Sequence, residues 1–381
     1  MNNKPIIPFN KPFLTGKESE YITEAVLSGK ISGNGVFTKK CQQFFEEIYG
    51  FKKCLLTTSC TDALEMCAIL ADIKEGDEVI IPSYTFVSTA LPFIRQGAKI
   101  VFADSYNDNP NIDADKIESL ITSKTKAIVP VHYAGVACDM DRIMEIAAKY
   151  NLIVIEDAAQ AIDNFHIDKN GVKKALGSIG HLAAFSFHET KNIISGEGGM
   201  LTINDEKFID RAEIIWEKGT NRSQFFRGEV DKYGWIDIGS SFLPSEVISA
   251  FLWAQIENIK PIQNQRKKLW NKYHELFSLH DDKKIKLPIV PSYSDNNAHM
   301  YYVNFENIEE RSKVIKRLKD KNILAVFHYI SLHSSPYYKD KHDGRNLVNS
   351  DKFTDRLLRL PLYFELTEEE VLLVVKIITS S

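Results

Sequence analysis

Six short apolar runs, separated by helical patterns, restrict the possible folds of this chain more than any other feature of its sequence. The runs are CLLTT (54–58), EVIIP (78–82), KIVFAD (99–104), AIVPV (127–131), LIVIED (152–157) and AAFSF (183–187). Runs of this length are typical of buried strands, and strands that alternate with helices form a mostly parallel sheet with helices on both faces. We therefore predict an α/β fold that begins with helices near residue 17 and continues to about residue 204.

Helical patterns mark both ends of this region. Near its start, four apolar residues recur at the i, i+3, i+4, i+7 spacing of one buried helix face: Cys41, Phe44, Phe45 and Ile48. After about residue 245 a long helical pattern leads to AHMYYVNF, which favours a strand, and to EERSKVIKRLKD, which favours a helix. Because 381 residues exceed the usual size of one hydrophobic core, we predict a large domain over 1–245 and a smaller C-terminal α+β domain over 246–381.

Charge and cysteine content exclude several classes of function. The formal net charge is −4 and both signs are mixed along the chain, which argues against a nucleic-acid surface. The five cysteines include no CxxC pair, so neither a disulfide framework nor a metal site is indicated. No apolar run approaches the ~18 residues of a membrane span. We therefore expect a cytoplasmic protein with no metal, no nucleic-acid partner and no membrane partner.

Ligands of an open α/β sheet bind at the carboxyl ends of its strands, where this chain carries two notable groups. The first run leads into Ser59, Cys60 and Thr61, which open a helix whose free N–H groups and dipole suit a phosphate. Alternatively, Ser59 or Thr61 only caps that helix. The second run is followed by Phe86, whose ring either stacks on a flat ligand or belongs to the core.

Two later runs deliver a carboxylate and an amine. Asp157 ends the fifth run, where a buried charge is costly unless it is paired. It therefore needs a cation on a ligand, or it serves in an ordinary salt bridge or helix cap. Lys191 comes five residues after Ser186, which is near the end of the sixth run, and the ordinary alternative for a lysine is a solvated surface position.

Taken together, these four features match the requirements of pyridoxal phosphate. A lysine amine bonds to the cofactor aldehyde, and a buried carboxylate keeps the pyridine nitrogen protonated. Opposite charges about 4 Å apart attract by roughly 4 kcal/mol at an effective dielectric of ~20, which biases the proton toward the ring. The lysine must also act as a neutral base, so its pKa has to fall from ~10.4 to ~7 through burial and a nearby cation.

The chain is similar to the sugar-nucleotide aminotransferases, a group of fold-type-I pyridoxal-phosphate enzymes. The blocks that carry the resemblance are TTSCTDALE, GDEVIIPSYTFVSTA, VPVHYAGVACDMD, IEDAAQA, LGSIGHLAAFSFHETKN, GEGG and LRLPLY. They extend over nearly the whole chain, roughly residues 8 to 375, and FSFHETKN is much more specific than a lone glycine-rich motif. The resemblance implies a large domain with a mostly parallel sheet flanked by helices, plus a smaller C-terminal α+β domain.

The family pattern also implies roles for individual cofactor-binding residues. Lys191 would bond to the cofactor, and Asp157 would pair with its pyridine nitrogen. Gln160 would lie near the phenolic oxygen, and Phe86 would stack on the ring. The residues implied to hold the phosphate are Cys60 (through its backbone), Thr61 and Ser186.

Family members work as homodimers with a shared active site, and many relatives reach the partner's phosphate with an asparagine. The aligned stretch of this chain reads GSSF, so Ser241 stands where that asparagine would be. Ser241 could make a shorter or water-mediated contact, or Asn221 could take over its role. The resemblance therefore implies a homodimer, and it leaves the residue that makes this contact open.

The blocks EKGTNRSQFFRGEVDKYGWIDIGSSF, AHMYYV and VFHYISLH imply the substrates. They resemble enzymes that transfer the amino group of glutamate to a dTDP-4-keto-6-deoxyhexose, giving dTDP-4-amino-4,6-dideoxygalactose and 2-oxoglutarate. Transamination of a 3-keto sugar, or a 4-amino-4,6-dideoxyglucose product, stays open. The residues expected to bind the nucleotide sugar are Arg222, Arg227, His299, His328 and Tyr329. Alternatively, the two arginines lie on a solvated loop and the other three residues are structural.

The sequence also bears on three other functions. Related enzymes that dehydrate deoxysugars carry histidine at the position of the cofactor-linked lysine, so Lys191 counts against them. A nucleotide-sugar oxidoreductase would need a GxGxxG between the first strand and helix, and this chain has none there. A binding protein that kept the scaffold without activity is distinguished by experiment only.

Overall fold

A computed structural model describes residues 7–280 and 284–380. The strands of these residues are β1 (Lys53–Thr57), β2 (Glu78–Pro82), β3 (Lys99–Ala103), β4 (Thr125–Ile128), β5 (Ile153–Asp157), β6 (Phe165–Ile167), β7 (Lys173–Ala175), β8 (Leu182–Ser186), β9 (Gly199–Ile203), β10 (Tyr301–Asn304) and β11 (Leu357–Leu360). The main sheet has the strand order β1-β9-β8-β5-β4-β2-β3. Strand β9 is antiparallel to both β8 and β1, and the remaining neighbours are parallel. The predicted mostly parallel sheet is confirmed.

Several of the helices begin at a side chain that caps their first turn. In the described part of the chain the helices are α1 (Glu18–Leu27), α2 (Val36–Tyr49), α3 (Cys60–Leu70), α4 (Leu91–Arg95), α5 (Ala114–Ile117), α6 (Met140–Tyr150), α7 (Ile209–Trp216), α8 (Arg222–Phe226), α9 (Glu246–Glu257), α10 (Ile259–Ser278), α11 (Ile308–Asp320), α12 (Val348–Arg356) and α13 (Glu368–Thr379). The Asp139 carboxylate accepts a bond from the Arg142 N–H at the start of α6. Thr367 and Glu370 form a reciprocal capping box on α13.

Alternate strand residues point to opposite faces of the main sheet. Leu55 belongs to a core that includes α3, α4 and α7, whereas Leu56 belongs to a core on the other face that includes α2 and α9. A separate core, named the second core, is built from α10, α11, α13 and the antiparallel pair β10–β11. Helices therefore cover both faces of the sheet, as predicted.

The domain boundary after residue 245 stays a prediction. Helix α9 packs against the large-sheet side of the molecule, whereas the second core begins within α10, at Leu269. The long helical pattern after residue 245 is broken at Asn258 into α9 and α10. Residues 1–6, 281–283 and 381, which the predicted domains include, lie outside the described residues.

The predicted buried face of α2 is wrong at one position. Cys41 and Phe45 are fully buried, but Ile48 is 61% exposed. The helix instead buries Tyr49, which extends the i, i+4 row of Cys41 and Phe45 and stacks on the Phe45 ring. Adjacent positions on a helix differ by about 100°, so spacing alone did not decide which of two neighbouring apolar residues faces the core.

Glu246 joins the N-terminal ends of α2 and α9. Its carboxylate is buried and accepts hydrogen bonds from the backbone N–H groups of Gly35 (2.8 Å), Phe37 (2.7 Å) and Thr38 (3.1 Å). The Thr38 hydroxyl also donates to it. Removing this acceptor leaves several buried donors unsatisfied.

The Glu246→Gln variant is therefore expected to lower the free energy of unfolding by about 2 to 4 kcal/mol. Urea denaturation measures this loss as a lower midpoint. Glu257→Gln at the other end of α9 is the matched control. Its carboxylate accepts an exposed bond from the Tyr21 hydroxyl, so it should cost less than about 1 kcal/mol. Equal losses in the two variants would contradict this account.

No helix of the described residues combines the length and the apolar character needed to cross a membrane.

Candidate active site

A cavity of about 580 Å³ lies at the carboxyl ends of the parallel strands of the main sheet. The residues after β1, β2, β5 and β8 form one wall, and residues of the second core form the other. Ten of the predicted site residues line it: Cys60, Thr61, Phe86, Asp157, Gln160, Ser186, Lys191, His299, His328 and Tyr329. The fold therefore brings together residues that are far apart in the chain.

The start of α3 forms one end of this cavity. The Ser59 hydroxyl caps the helix by accepting a bond from the Asp62 N–H (3.1 Å), and the Thr61 hydroxyl donates to the Ser88 hydroxyl (2.8 Å). Strand β9 packs directly on this end, so a side chain at Gly199 would collide with the Cys60 backbone nitrogen. The capping interpretation is correct for Ser59. The first N–H groups of α3 remain without acceptors in the helix and can bind an anion.

Asp157 ends β5 and is 5% exposed. The Thr89 hydroxyl donates to its Oδ2 (2.7 Å), and the Ala159 N–H donates to its Oδ1 (3.2 Å). Burial raises the pKa of Asp157, and these two hydrogen bonds and the positive charge of Lys191 oppose that rise. No cationic side chain of the described residues forms an ion pair with it. The ordinary salt-bridge alternative therefore fails, and the carboxylate remains available to a cation in the cavity.

Lys191 lies on the loop after β8, and this loop is firmly held. The Lys191 N–H donates to the His188 carbonyl (2.9 Å), and the next residue, Asn192, donates to the Gln263 side chain (2.7 Å) and the Asn297 carbonyl (2.9 Å). The Lys191 side chain lines the cavity. Burial lowers the pKa of Lys191, Cys60 and Asp157 oppose this, and the charge of Arg359 lowers the pKa further. Lys191 is thus a cavity amine and not a solvated surface lysine.

Phe86, Gln160 and Tyr329 line the same cavity as Lys191. Phe86 is 54% exposed and lines the cavity, so the alternative that its ring belongs to the core is wrong. The Gln160 side chain accepts a bond from the Ala134 N–H (2.7 Å) and donates to the Tyr329 hydroxyl (3.1 Å). The ring centroids of Tyr329 and Phe86 are 6.0 Å apart. A flat ligand in this cavity would meet aromatic rings and a fixed amide.

The two predicted histidines are held in surroundings that lower their pKa values. The His299 Nδ1 lies 2.8 Å from Oδ1 of Asn192, an oxygen that can only accept, so His299 donates from Nδ1. Burial, together with the charges of Lys191, Arg266 and Arg359, holds the pKa of His299 well below its ordinary value. Burial and the charges of Arg359 and Lys191 also hold the pKa of His328 well below its ordinary value. The Nε2 of His299 is therefore left with a free lone pair.

Asn221, Arg222, Arg227 and Ser241 do not line the cavity of their own chain. Arg227 is ion-paired with Glu213 (2.7 Å) and Glu229 (2.6 Å). The Asn221 side chain accepts a bond from the Gly234 N–H (2.8 Å), and the guanidinium of Arg222 lies 5.2 Å from the centre of the Phe226 ring. Ser241 pairs with Glu217 through a β-bridge. The binding roles of these four residues stay predictions.

Sequence reasoning missed several polar residues that line the cavity or support it, and four of them stand out. Thr89 holds Asp157, and Asn192 orients His299. Arg266 and Arg359 line the cavity wall that the second core provides. Thr89, Asn192 and Arg359 belong to blocks that carry the family resemblance, but their neighbours in the chain do not indicate what they contact.

Comparisons with known proteins agree with this geometry. The sequence profile of the DegT/DnrJ/EryC1/StrS aminotransferase family matches residues 12–379. The chain is 32% identical over 377 residues to the spore coat polysaccharide biosynthesis protein SpsC of Bacillus subtilis (strain 168), covering 96% of this chain and 94% of SpsC. Two solved structures share 25% sequence identity with this chain and superpose on 98% of it. They are the aminotransferase TlmJ from Streptoalloteichus hindustanus (TM-score 0.89, 97% of its chain covered) and the PLP form of Spr1654 from Streptococcus pneumoniae (TM-score 0.87, 97% covered).

Proposed function

Because the chain belongs to the DegT/DnrJ/EryC1/StrS aminotransferase family, we propose that it transfers the amino group of glutamate to a dTDP-4-keto-6-deoxyhexose. The products are dTDP-4-amino-4,6-dideoxygalactose and 2-oxoglutarate. The family consists of sugar aminotransferases that use pyridoxal phosphate. The observation that carries the proposal is the combination, in one cavity, of a lysine with a lowered pKa and a buried carboxylate without a described ion-pair partner.

The residues of the cavity fit pyridoxal phosphate. When bound, this cofactor supplies an aldehyde that exchanges between amines and a ring that withdraws electrons from the reacting carbon. In this proposal the N-terminus of α3, with Thr61 and Ser186, holds the phosphate, and Phe86 covers the ring. Asp157 keeps the proton on the ring nitrogen, because its buried negative charge favours the protonated form.

Lys191 moves the proton in both half-reactions. As a neutral amine it would accept the proton from the α-carbon of glutamate and pass it to the bound cofactor; in the second half-reaction it would take a proton back from the cofactor and donate it to C4 of the sugar. A lowered pKa increases the fraction of neutral amine near neutral pH, which is the form that can accept this proton. His299, His328 and Tyr329 then contact the sugar, with the free Nε2 of His299 as an acceptor for a sugar hydroxyl.

A homodimer with a shared active site follows from the same proposal. The segment 221–241, which includes α8, leaves several large apolar side chains exposed: Phe226 (69%), Tyr233 (52%), Trp235 (84%), Ile236 (56%) and Ile238 (56%). Exposed apolar clusters of this kind favour a protein–protein contact. The same segment carries the predicted phosphate and sugar contacts at 221, 222, 227 and 241. These residues would therefore serve the cavity of the partner subunit.

The Trp235→Asp variant is expected to shift the protein toward the monomer and to lower kcat/KM by at least about 10-fold, because a charge replaces a large apolar contact. Size-exclusion chromatography with light scattering measures the mass. Val172→Ser removes an exposed apolar side chain elsewhere and should remain dimeric and active. A fully active Trp235→Asp monomer would contradict the shared site.

The direct test of the reaction uses purified enzyme, pyridoxal phosphate, glutamate and dTDP-4-keto-6-deoxyglucose, followed by NMR of the product. The proposal requires an axial amine at C4. An equatorial amine, or an amine at C3, would replace it with one of the two alternatives. A cofactor absorbance band that glutamate leaves unchanged would instead indicate a binding protein without activity.

The product is proposed to serve surface polysaccharide biosynthesis in the cytoplasm. The name of SpsC supports the pathway. The cysteines, which are free thiols in the structure, support a reducing compartment.

A further inference from the structure

His299 and His328 line the same cavity, and each ring is hydrogen-bonded through its Nδ1. The Nδ1 of His299 lies 2.8 Å from Oδ1 of Asn192, and the Nδ1 of His328 lies 2.7 Å from the Tyr133 hydroxyl. The Nε2 of neither ring has a hydrogen-bond partner among the described residues. Because burial holds the pKa of both rings well below its ordinary value, each ring carries one N–H proton near neutral pH. The partner of Nδ1 therefore decides whether Nε2 donates or accepts a hydrogen bond.

Asn192 fixes the tautomer of His299. The amide nitrogen of Asn192 donates to the Asn297 carbonyl (2.9 Å), an oxygen that can only accept, and to Oε1 of Gln263 (2.7 Å). This orientation of the amide turns Oδ1 of Asn192 toward His299, so His299 carries its proton on Nδ1. The Nε2 of His299 is then left as an acceptor for a ligand of the cavity.

Tyr133 fixes the opposite tautomer in His328. A phenol is a much stronger acid than a neutral imidazole, and the imidazole lone pair is the stronger base, so the Tyr133 hydroxyl donates and Nδ1 of His328 accepts. Burial raises the pKa of Tyr133 well above its ordinary value, so the proton stays on the phenol. His328 must then carry its own proton on Nε2, which becomes a donor. The ring is also restrained by stacking on Tyr329, with ring centroids 3.4 Å apart.

We propose that the sugar meets one hydrogen-bond donor, on His328, and one acceptor, on His299. Tyr133 and Asn192 act as positioning residues that fix this pair of opposite tautomers. The inference rests on the proposed function. The keto and ring oxygens of a sugar can only accept a hydrogen bond, whereas a sugar hydroxyl can also donate one, so a keto sugar offers both kinds of partner. Two donors or two acceptors in the wall would leave one polar group of the complex unpaired.

NMR of the holoenzyme with isotope-labelled histidine nitrogens reads the tautomers directly, because each nitrogen shows whether it carries a proton. The wild type is expected to carry a proton on Nε2 of His328 and on Nδ1 of His299. The variants His328→Gln and His299→Gln assign the signals. In Tyr133→Phe, His328 should become a mixture of both tautomers, whereas His299 should not change.

Tyr302→Phe is the matched control. Tyr302 is buried in the same aromatic cluster, its ring packs edge-on against Tyr133, and its hydroxyl makes no hydrogen bond to either histidine. The substitution should therefore leave both tautomers as they are in the wild type. Asn192 adjoins Lys191 in the chain, so its role is tested by the wild-type tautomer of His299 and not by substitution.

Kinetics separates a positioning role from a general loss of structure. Tyr133→Phe is expected to raise the KM for the nucleotide sugar by about 3- to 10-fold, since 10-fold corresponds to about 1.4 kcal/mol, the upper range for a neutral hydrogen bond. The rate at which glutamate alone changes the cofactor absorbance should stay within about 2-fold of the wild type, because this half-reaction involves no sugar. Tyr302→Phe should keep both values.

Three results would overturn the inference. They are a wild-type His328 with its proton on Nδ1, a wild-type His299 with its proton on Nε2, and an unchanged KM for the nucleotide sugar in Tyr133→Phe. The first two are read without turnover, so they decide even if Tyr133→Phe does not fold. A holoenzyme that shows the expected tautomers but transfers no amino group to a nucleotide sugar would instead refute the proposed function.

Discussion

Replacing Lys191 with alanine is expected to lower kcat by at least about 10⁴-fold, the largest effect of any single substitution in this protein. General acid–base catalysis alone typically contributes 10²–10⁴-fold, and Lys191 is also the proposed point of covalent attachment of the cofactor. No other lysine of the described residues lines the cavity, so none can take its place. The measurement is the rate of product formation with glutamate and the nucleotide sugar.

Two controls separate the role of Lys191 from a general loss of charge. Lys207→Ala removes an exposed lysine that is ion-paired with Asp205 (2.7 Å), and it should keep full activity. Added methylamine should partly restore proton transfer in Lys191→Ala, because it supplies a free amine to the cavity. Reduction of the wild type with borohydride should leave the cofactor mass on the peptide that contains residue 191. Turnover within 10-fold of the wild type in Lys191→Ala would end the proposed mechanism.

The Asp157→Asn variant is expected to lower kcat by about 10³-fold. An amide of the same shape has no charge to hold the proton on the ring nitrogen. The attraction between the carboxylate and the protonated nitrogen contributes roughly 4 kcal/mol at an effective dielectric of ~20. The site offers no substitute, because no other described carboxylate lines the cavity apart from Glu197, which is exposed. Steady-state kinetics at saturating glutamate and nucleotide sugar measures the loss.

Thr89→Val is the matched variant for this prediction. It keeps the Asp157 charge but removes the hydroxyl that donates to Oδ2, so we expect a loss of only about 3- to 10-fold. The Thr89 hydrogen bond lowers the pKa of Asp157. Its removal should therefore shift the acidic limb of the kcat profile to higher pH. If the two variants lose activity equally, the packing of residue 157 matters more than its charge.

Several elements of the fold were predictable because their signals are local. The strands β2 (Glu78–Pro82) and β5 (Ile153–Asp157) are continuous apolar runs, and runs of this kind are buried on both faces of a parallel sheet. Asp157 and the start of α3 were predictable for a related reason, since the carboxyl ends of parallel strands collect at one edge of the sheet.

Other features depended on long-range contacts. Whether Ile48 or Tyr49 faces the core depends on the direction in which α2 meets the sheet, and the spacing of apolar residues does not contain this information. Arg359 enters the cavity because β11 pairs with β10 in the second core, far along the chain from Lys191. Thr89 contacts Asp157 although 68 residues separate them in the chain.

The sequence by itself determined the class of fold and the cofactor, and it predicted most of the residues that line the cavity, because these depend on short apolar runs and on blocks whose residues are adjacent in the chain. Only the tertiary structure decided which polar groups remain unpaired. It showed that Asp157 and Arg359 lack ion-pair partners among the described residues, whereas Arg227 is ion-paired with Glu213 and Glu229. A charge is available to a ligand only when the folded chain does not neutralise it, and that depends on which residues folding brings within hydrogen-bond distance.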